Sequence, residues 1–180
     1  MKKKPAVAIV GTFDSKGEEH LFLKKCIERR GLPTLTVNVG TKKPSSFSAD
    51  IDLYPKVKRS LKGHSGDRDQ AIETAIVHAR KVIRDLYDRG EIAGMISAGG
   101  GTGTHLGTSI MRVLPLGVPK VMVSTVASRN MAKTVGTKDI TMMHSVADLL
   151  GVNSISGIIL DKGVAAVSAM AQSRWAPSEQ

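Results

Sequence analysis

The segment Gly99-Gly100-Gly101-Thr102-Gly103-Thr104 most constrains how this chain can fold. It follows an apolar run, residues 92–98, that is typical of a buried strand, and a helical pattern of apolar residues continues from Thr104 to Leu114. A strand, a glycine-rich turn and a helix are the elements with which α/β proteins bind phosphate, because backbone N–H groups and a helix N-terminus converge on the anion. The segment therefore favours an anion site over a plain turn, with Thr102 and Thr104 as additional hydroxyl donors.

This segment matches neither of two common nucleotide-binding signatures. The chain contains no Gly-x-x-x-x-Gly-Lys-Ser/Thr, which excludes a Walker P-loop. The dinucleotide pattern Gly-x-Gly-x-x-Gly also fails, since its third glycine would fall on Thr104 or on Leu106. The segment alone thus predicts an anion site and names no cofactor.

A second strand-to-helix turn lies near the N-terminus. The run at residues 6–10 predicts a central strand that leads directly into Gly11-Thr12-Phe13-Asp14-Ser15-Lys16-Gly17. Ser15 and the glutamate three residues later have the spacing of a capping box, which predicts the start of a helix. Lys16 is a candidate phosphate ligand, and Asp14 is a candidate for Mg²⁺ or a ribose hydroxyl. The alternative is that Asp14 and Ser15 only cap the helix.

Two further predicted strands end in polar residues. Residues 34–39 lead into Gly40 and Thr41, and residues 120–123 lead into Ser124 and Thr125. Dinucleotide-binding folds often have a ribose-binding carboxylate at the first of these places, where this chain has Asn38. Residues 41–66 are polar and show no clear periodicity, which predicts a long functional or mobile loop.

Strands that alternate with helices predict a Rossmann-like α/β fold, with an open parallel sheet of four or five strands and helices on both faces. The carboxyl ends of parallel strands share one edge, so the four strand ends predict a single crevice. We expect the nucleotide-binding residues there to be Gly11, Thr12, Phe13, Asp14, Lys16, Asn38, Gly40, Gly99, Gly100, Gly101, Thr102, Gly103, Thr104, Ser124 and Thr125.

The C-terminal part has a different character. Residues 139–151 contain a short predicted helix, and Asn153 is placed to cap a longer one whose residues 163–171 are small and apolar. We expect residues 1–152 to form the nucleotide-binding domain and residues 153–180 a terminal helix that packs on this domain or at an interface. A spare apolar face on that helix predicts a homo-oligomer, or contact with another domain.

Composition limits the remaining possibilities. The net charge of +10 would suit a polyanion, but the basic residues are scattered and aromatic residues make up only 3% of the chain, which disfavours nucleic acid as partner. No apolar run approaches the roughly 20 residues that span a bilayer, and no signal peptide is evident. The single cysteine, Cys26, suits a reducing compartment, so we expect a cytoplasmic protein without a membrane segment.

In combination these segments resemble a family of bacteria, fungi and plants, otherwise uncharacterised, that is related to tomato's tomato mosaic virus resistance protein. The resemblance runs from residue 6 to about residue 170 and rests on Gly11-Thr12-Phe13-Asp14-Ser15-Lys16-Gly17-Glu18-Glu19, Gly66-Asp67-Arg68, Gly99-Gly100-Gly101-Thr102-Gly103-Thr104, Ser124-Thr125-Val126-Ala127 and Asp139-Ile140-Thr141-Met142-Met143.

The resemblance implies an ATP-binding, Rossmann-like amino-terminal domain, with Mg²⁺ bound through the nucleotide at Asp14. It also implies a second α/β domain, which we expect to be absent from this chain. The antiviral role of the plant member is not carried over. Two residues depart from the family pattern, Asn38 at a position expected to be acidic and Thr134 at one expected to be aromatic.

Three functions are weighed on this basis. The first is an ATP-binding domain that holds phosphates on its glycine-rich turns within a larger or oligomeric assembly. The second is an ATP-dependent phosphotransferase or ligase that uses Asp14 and Lys16, with His105 as a more distant candidate. The third is a polyanion-binding or nucleic-acid-binding module, which rests on net charge alone.

Overall fold

Six parallel strands form one sheet in the part of the chain that the structure describes, residues 4–61 and 67–173 of a computed structural model. The strands are β1 (Ala6–Gly11), β2 (Thr34–Asn38), β3 (Ile51–Asp52), β4 (Ile92–Gly99), β5 (Lys120–Ser124) and β6 (Thr141–His144). The helices are α1 (Gly17–Arg29), α2 (Tyr54–Ser60), α3 (Arg68–Asp88), α4 (Gly101–Met111), α5 (Ala132–Val135) and α6 (Ser154–Gln172).

The strand order is β3-β2-β1-β4-β5-β6, and each neighbouring pair is parallel. This is the order of the doubly wound dinucleotide-binding sheet, so the predicted Rossmann-like α/β fold is confirmed. The predicted number of strands, four or five, was too low. The two additional strands are the edges, β3 with two residues and β6 with four.

Both edge strands lie in segments for which the sequence predicted something else. Residues 41–66, predicted to be a loop, contain β3 and α2, and residues 139–151, predicted to contain a short helix, contain β6. β6 is half-exposed and has no alternating pattern, and it is a strand because its backbone pairs with β5, with Val123 opposite Met143. Tertiary pairing, which local sequence does not encode, decides these short edges.

Helices cover both faces of the sheet. On one face Val57 of α2, Ile76 of α3 and Ile110 of α4 belong to one buried cluster. On the other face Leu23 of α1 and Val164 of α6 belong to a second cluster. The central strand β1 is buried along its whole length, which explains why it is a continuous β-branched run without alternation.

Helix α6 completes the second face. Asn153 caps it as predicted, accepting hydrogen bonds from the N–H groups of Ile155 and Ser156. By length and composition α6 is also apolar enough to cross a membrane, in contrast to the expectation from the sequence. In this fold it packs on the sheet instead, with Leu160 and Val164 fully buried.

Candidate phosphate-binding crevice

The crevice lies at the point where the strand order reverses, between the carboxyl ends of β1 and β4. From β1 the chain proceeds through α1 to β2 on one side, and from β4 it proceeds through α4 to β5 on the other. Loops therefore diverge above this point and leave a space of about 210 Å³. Its lining includes both turns that the sequence singled out: Thr12, Asp14, Ser15, Lys16, Thr41, Lys42, Arg68, Ile72, Gly99, Gly100, Gly101, Thr102, Gly103 and Leu106.

The turn after β4 is open towards this space. Helix α4 begins at Gly101, earlier than the predicted Thr104, so the glycine-rich segment itself forms the first helical turn. Its N-cap, Gly100, supplies no capping side chain, and the first intrahelical bond runs from the Thr104 N–H to the Gly100 carbonyl at 2.7 Å. Within the described residues, the N–H groups of residues 101–103 have no hydrogen-bond partner. Three donors at a helix N-terminus are thus available to an anion.

Packing requires glycine at one position of this turn, Gly99, but not at another, Gly101. A Cβ at Gly99 would lie 2.9 Å from the Cα of Gly103, so the close approach of strand and helix requires glycine at this position. A Cβ at Gly101 would meet no atom within 4 Å. Packing therefore does not require glycine at position 101, which borders open space and lines the crevice.

Thr104 and Ser124, both predicted to bind nucleotide, are buried beneath the turn. Their hydroxyl oxygens are 2.7 Å apart and hydrogen-bonded, and the Ser124 hydroxyl also accepts from the Val126 N–H at 3.1 Å. The Thr125 N–H donates to the Gly99 carbonyl at 3.1 Å. These residues attach the end of β5 to the turn after β4, and thereby fix the position of the open N–H groups.

The turn after β1 is closed by its own chain. The N–H groups of Ser15 and Lys16 donate to the Thr12 carbonyl, at 3.1 and 2.7 Å. Phe13 is fully buried, and its N–H donates to Oδ1 of Asn38 at 3.0 Å. The predicted capping box at Ser15 is wrong, because the N-cap of α1 is Lys16 and no side chain caps it.

Asn38 is fully buried, and both the oxygen and the nitrogen of its amide form hydrogen bonds. Oδ1 accepts from Phe13 and also from the Gly40 N–H at 2.9 Å, while Nδ2 donates to Oδ1 of Asp52 at 2.8 Å. These bonds fix the end of β2 to the turn after β1. An aspartate at position 38 could not make the donation to Asp52, and this gives a structural reason for the departure from the expected acidic residue.

Residues 42–47 lie over the turn after β1. The Ser46 hydroxyl donates to the Phe13 carbonyl at 2.7 Å, and the Phe47 ring stacks on the Phe13 ring with centroids 4.7 Å apart. The Lys42 N–H donates to Oδ2 of Asp14 at 2.9 Å. Much of the space above β1 is consequently filled by protein.

Asp14 and Lys16 line the crevice but differ in their engagement. Asp14 is 8% exposed, and its packing against Gly40 is so close that a Cβ there would lie 2.6 Å from the carboxyl carbon. The Lys16 ammonium donates to the Leu149 carbonyl and lies 3.6 Å from Oε1 of Glu19. Lys16 therefore has protein partners at hand, whereas one carboxylate oxygen of Asp14 faces no such donor among the described contacts.

Besides Lys42, two residues at this site were not predicted from the sequence. Arg68, the first residue of α3, donates from Nη2 to the Thr102 hydroxyl at 3.1 Å and contributes a positive charge to the crevice. It belongs to the Gly66-Asp67-Arg68 segment on which the family resemblance rested, and this was the signal that could have found it. Gly66 itself lies outside the described residues.

The second is His20 of α1, which is fully buried between β1 and β4. Its Nδ1 donates to the Lys16 carbonyl at 2.6 Å, and its Nε2 accepts from the Ala98 N–H at 3.4 Å. A Cβ at Gly11 would lie 2.0 Å from Nε2 of the imidazole, far closer than packing allows. Burial lowers the pKa of His20, against the opposing effect of the bond to Lys16, and the neutral ring satisfies both partners. His20 precedes Leu23 by three residues and Ile27 by seven, so helical spacing places it on the buried stripe of α1, and this was the signal that could have found it.

A metal ion would find few ligands in the protein itself. Across residues 4–61 and 67–173 no group of three or more His, Cys, Asp or Glu side chains could hold one. Among the lining residues that the structure describes, one has a carboxylate, Asp14. One carboxylate suits Mg²⁺ that arrives with a phosphate ligand and keeps several waters, rather than an ion held by the protein alone.

The comparison with known families decides the classification. The model of the N-terminal domain of an uncharacterised protein family, UPF0261, matches residues 5–176. The chain belongs to this family. The UPF0261 protein of Clostridium tetani is 37% identical over 182 residues, which cover 97% of this chain and 44% of that protein. The UPF0261 protein of Mesorhizobium japonicum is 41% identical over 172 residues, covering 92% and 42% respectively.

The predicted relationship to the tomato proteins is also confirmed. The ToMV resistance protein Tm-1(GCR237) of Solanum lycopersicum is 31% identical over 198 residues, which cover 98% of this chain and 26% of that protein. The chain thus spans less than half the length of these UPF0261 relatives and about a quarter of the tomato protein.

Proposed function

We propose that this UPF0261 domain binds ATP, with the phosphates on the turn after β4. The observation that carries the proposal is that the N–H groups of residues 101–103, at the switch point of a Rossmann-like sheet, have no partner among residues 4–61 and 67–173. Ligands bind open α/β sheets at this point, and an uncapped helix N-terminus favours an anion. Lys42 and Arg68 add positive charge around the same space.

Asp14 holds Mg²⁺ through the nucleotide in this proposal. Its carboxylate lies in the same crevice as the open turn and is largely shielded from solvent. Asp14 would hold the ion, which would supply charge neutralisation for the phosphate groups. The same placement is what favours the alternative function, an ATP-dependent phosphotransferase or ligase, because a carboxylate and a lysine adjoin the phosphate site. Incubation with ATP and Mg²⁺, followed by detection of ADP, separates the two functions.

Calorimetric titration with ATP tests the binding site. We expect the parent protein to bind, and Gly101→Val to weaken binding at least about tenfold, because its side chain would stand where phosphate must approach the backbone. Steric strain is absent at this position, so the thermal midpoint should be retained. Gly157→Ala in α6 is the matched control, since its Cβ makes only an ordinary 3.5 Å contact with Val152. A folded Gly101→Val protein that binds ATP as tightly as the parent would contradict the assignment.

The assembly is a second part of the proposal. Ile155 and Ile158 of α6 are 55% and 59% exposed, and Val146 and Leu150 just before this helix are exposed by 68% and 78%. Large apolar side chains concentrated in one short segment are typical of a contact surface. A second copy, or the further domain of a longer chain, would cover them in a cytoplasmic assembly. Sedimentation of the parent and of Ile158→Arg at micromolar concentration tests the homo-oligomer, which requires association of the parent and its loss in the variant.

A further inference from the structure

The β1–β2 side and the β4–β5 side of the crevice differ in the polar groups that they offer to a ligand. This difference determines which part of a nucleotide the site can recognise. In dinucleotide-binding sheets the turn after β1 holds the pyrophosphate, and a carboxylate at the end of β2 holds the ribose, so the nucleoside lies on the β1–β2 side. In this chain the corresponding elements are β1 with its closed turn and β2 with the buried Asn38.

On the β1–β2 side several groups are already engaged within the protein, although Thr12, Asp14, Thr41 and Lys42 still line the crevice. Ser46 bonds to the Phe13 carbonyl, and the Phe47 ring stacks on Phe13 above the strand end. Asn38 uses both its oxygen and its nitrogen within the protein. A ribose on this side would find the Asn38 amide committed to the protein, and the carboxylate beside the end of β2, that of Asp14, packed against Gly40 with Oδ2 bonded to the Lys42 N–H.

The space that remains is small and positively charged. At about 210 Å³ it lies below the roughly 300–1,000 Å³ of sites that enclose a whole drug-sized ligand. Its described titratable lining consists of Lys16, Lys42 and Arg68 against Asp14. A short polyphosphate with a divalent cation matches both the volume and the charge.

A nucleoside attached to such a polyphosphate would extend over the neighbouring depression beside α3 and α4. That depression shares Gly101 and Thr102 with the crevice. The titratable side chains there are all exposed: Asp69, Glu73 by 64% and His105 by 56%. Water competes for exposed hydrogen-bonding groups, so they contribute little discrimination between bases.

We infer that this site recognises the polyphosphate group and discriminates little between nucleosides, so that inorganic tripolyphosphate is a ligand of the same turn. The inference rests on the proposed phosphate site and narrows its ligand class. The groups that select are the N–H donors of residues 101–103 together with Arg68, and none of these reads a base.

Calorimetry with ATP, GTP, UTP, AMP and inorganic tripolyphosphate, each with Mg²⁺, tests this. We expect dissociation constants within about threefold for the three nucleoside triphosphates and within about tenfold for tripolyphosphate, with AMP weaker by at least about tenfold. An ATP affinity more than about thirtyfold above those of GTP and UTP would overturn the inference and leave the proposed ATP site standing. Absence of binding by every triphosphate would instead overturn the proposed site itself.

The Gly101→Val protein provides the site control. Tripolyphosphate and ATP should lose affinity by the same factor in this variant, whereas Gly157→Ala should bind both as the parent does. Tripolyphosphate binding that survives Gly101→Val while ATP binding is lost would place the inorganic anion elsewhere on the basic surface, and would overturn the inference.

Discussion

The two strand-to-helix turns at the switch point have similar sequences of small residues and opposite structures. The turn after β1 is closed: Asn38, Ser46 and His20 fill it and engage its backbone. The turn after β4 is open, and the first N–H groups of α4 have no partner among the described residues. The difference teaches that glycine at a strand end has two uses, to admit a side chain of the protein itself or to admit a ligand.

Gly11 and Gly101 exemplify these two uses. At Gly11 the space that a Cβ would need is taken by the His20 ring, and at Gly101 that space is empty. Sequence alone cannot separate the two, because both glycines follow or adjoin an apolar strand. Which of the two uses applies depends on the side chains that other segments, such as α1 and the segment after β2, place above the strand end.

The largest expected effect is on the free energy of unfolding, and it comes from a substitution in the closed turn. Gly11→Ala would force a methyl group into the buried His20 ring, and we expect the free energy of unfolding to fall by about 2–3 kcal/mol. Gly101→Ala adds the same methyl group to open space, and its effect should stay within about 0.5 kcal/mol. Urea denaturation of the two variants measures both. Equal stabilities would show that the two turns do not differ in packing.

A smaller effect concerns the pH dependence of the closed turn. The pKa of His20 is lowered by burial, so below its ordinary value of about 6.5 the unfolded chain takes up a proton that the folded protein does not. The free energy of unfolding should therefore fall with decreasing pH, by up to about 1.4 kcal/mol per unit, until the folded pKa is reached.

His20→Gln should flatten this dependence below about pH 6.5, because glutamine does not titrate. The exposed His105→Gln is the matched control and should keep the slope of the parent. Urea denaturation at several pH values provides the measurement. A parent-like slope in His20→Gln would assign the pH dependence to other groups.

Much of the fold was predictable from the sequence, because the central strands β1, β4 and β5 are continuous apolar runs that need no partner to be recognised. The edges were not, since β3 has two residues and β6 depends on its pairing with β5. The Rossmann-like class followed from the alternation of these strands, and of β2, with predicted helices.

The candidate site divides in a similar way. The glycine-rich segment was visible in the sequence, and the structure places it at the switch point. The roles of the polar residues were not visible: Asn38, Thr104 and Ser124 are buried and bonded within the protein. Residue type and strand position cannot show whether a polar side chain faces the ligand or supports the turn, because that depends on the neighbouring strand.

The smallest expected effect compares the cations that serve the two turns. Arg68 reaches the open turn through Thr102, while the Lys16 ammonium beside the closed turn already has the Leu149 carbonyl and Glu19 as partners. The sequence predicted a phosphate contact for Lys16, and that contact would have to replace its present bonds. We therefore expect Arg68→Ala to lower the affinity for ATP about tenfold and Lys16→Ala to lower it only about threefold. The affinity for AMP should fall less in both variants.

Calorimetry with ATP and AMP measures the contrast, and Arg80→Ala is the matched control because it removes the same charge from an exposed position of the same helix. The effect of Arg68→Ala should exceed that of Arg80→Ala, since general attraction to a basic protein would be reduced equally by both. A loss at Lys16 greater than the loss at Arg68 would mean that the ligand draws Lys16 away from Leu149, and the closed turn would then be part of the binding site. If Arg68→Ala lowered the affinity for ATP and for AMP by the same factor, the Arg68 guanidinium would not contact the terminal phosphates.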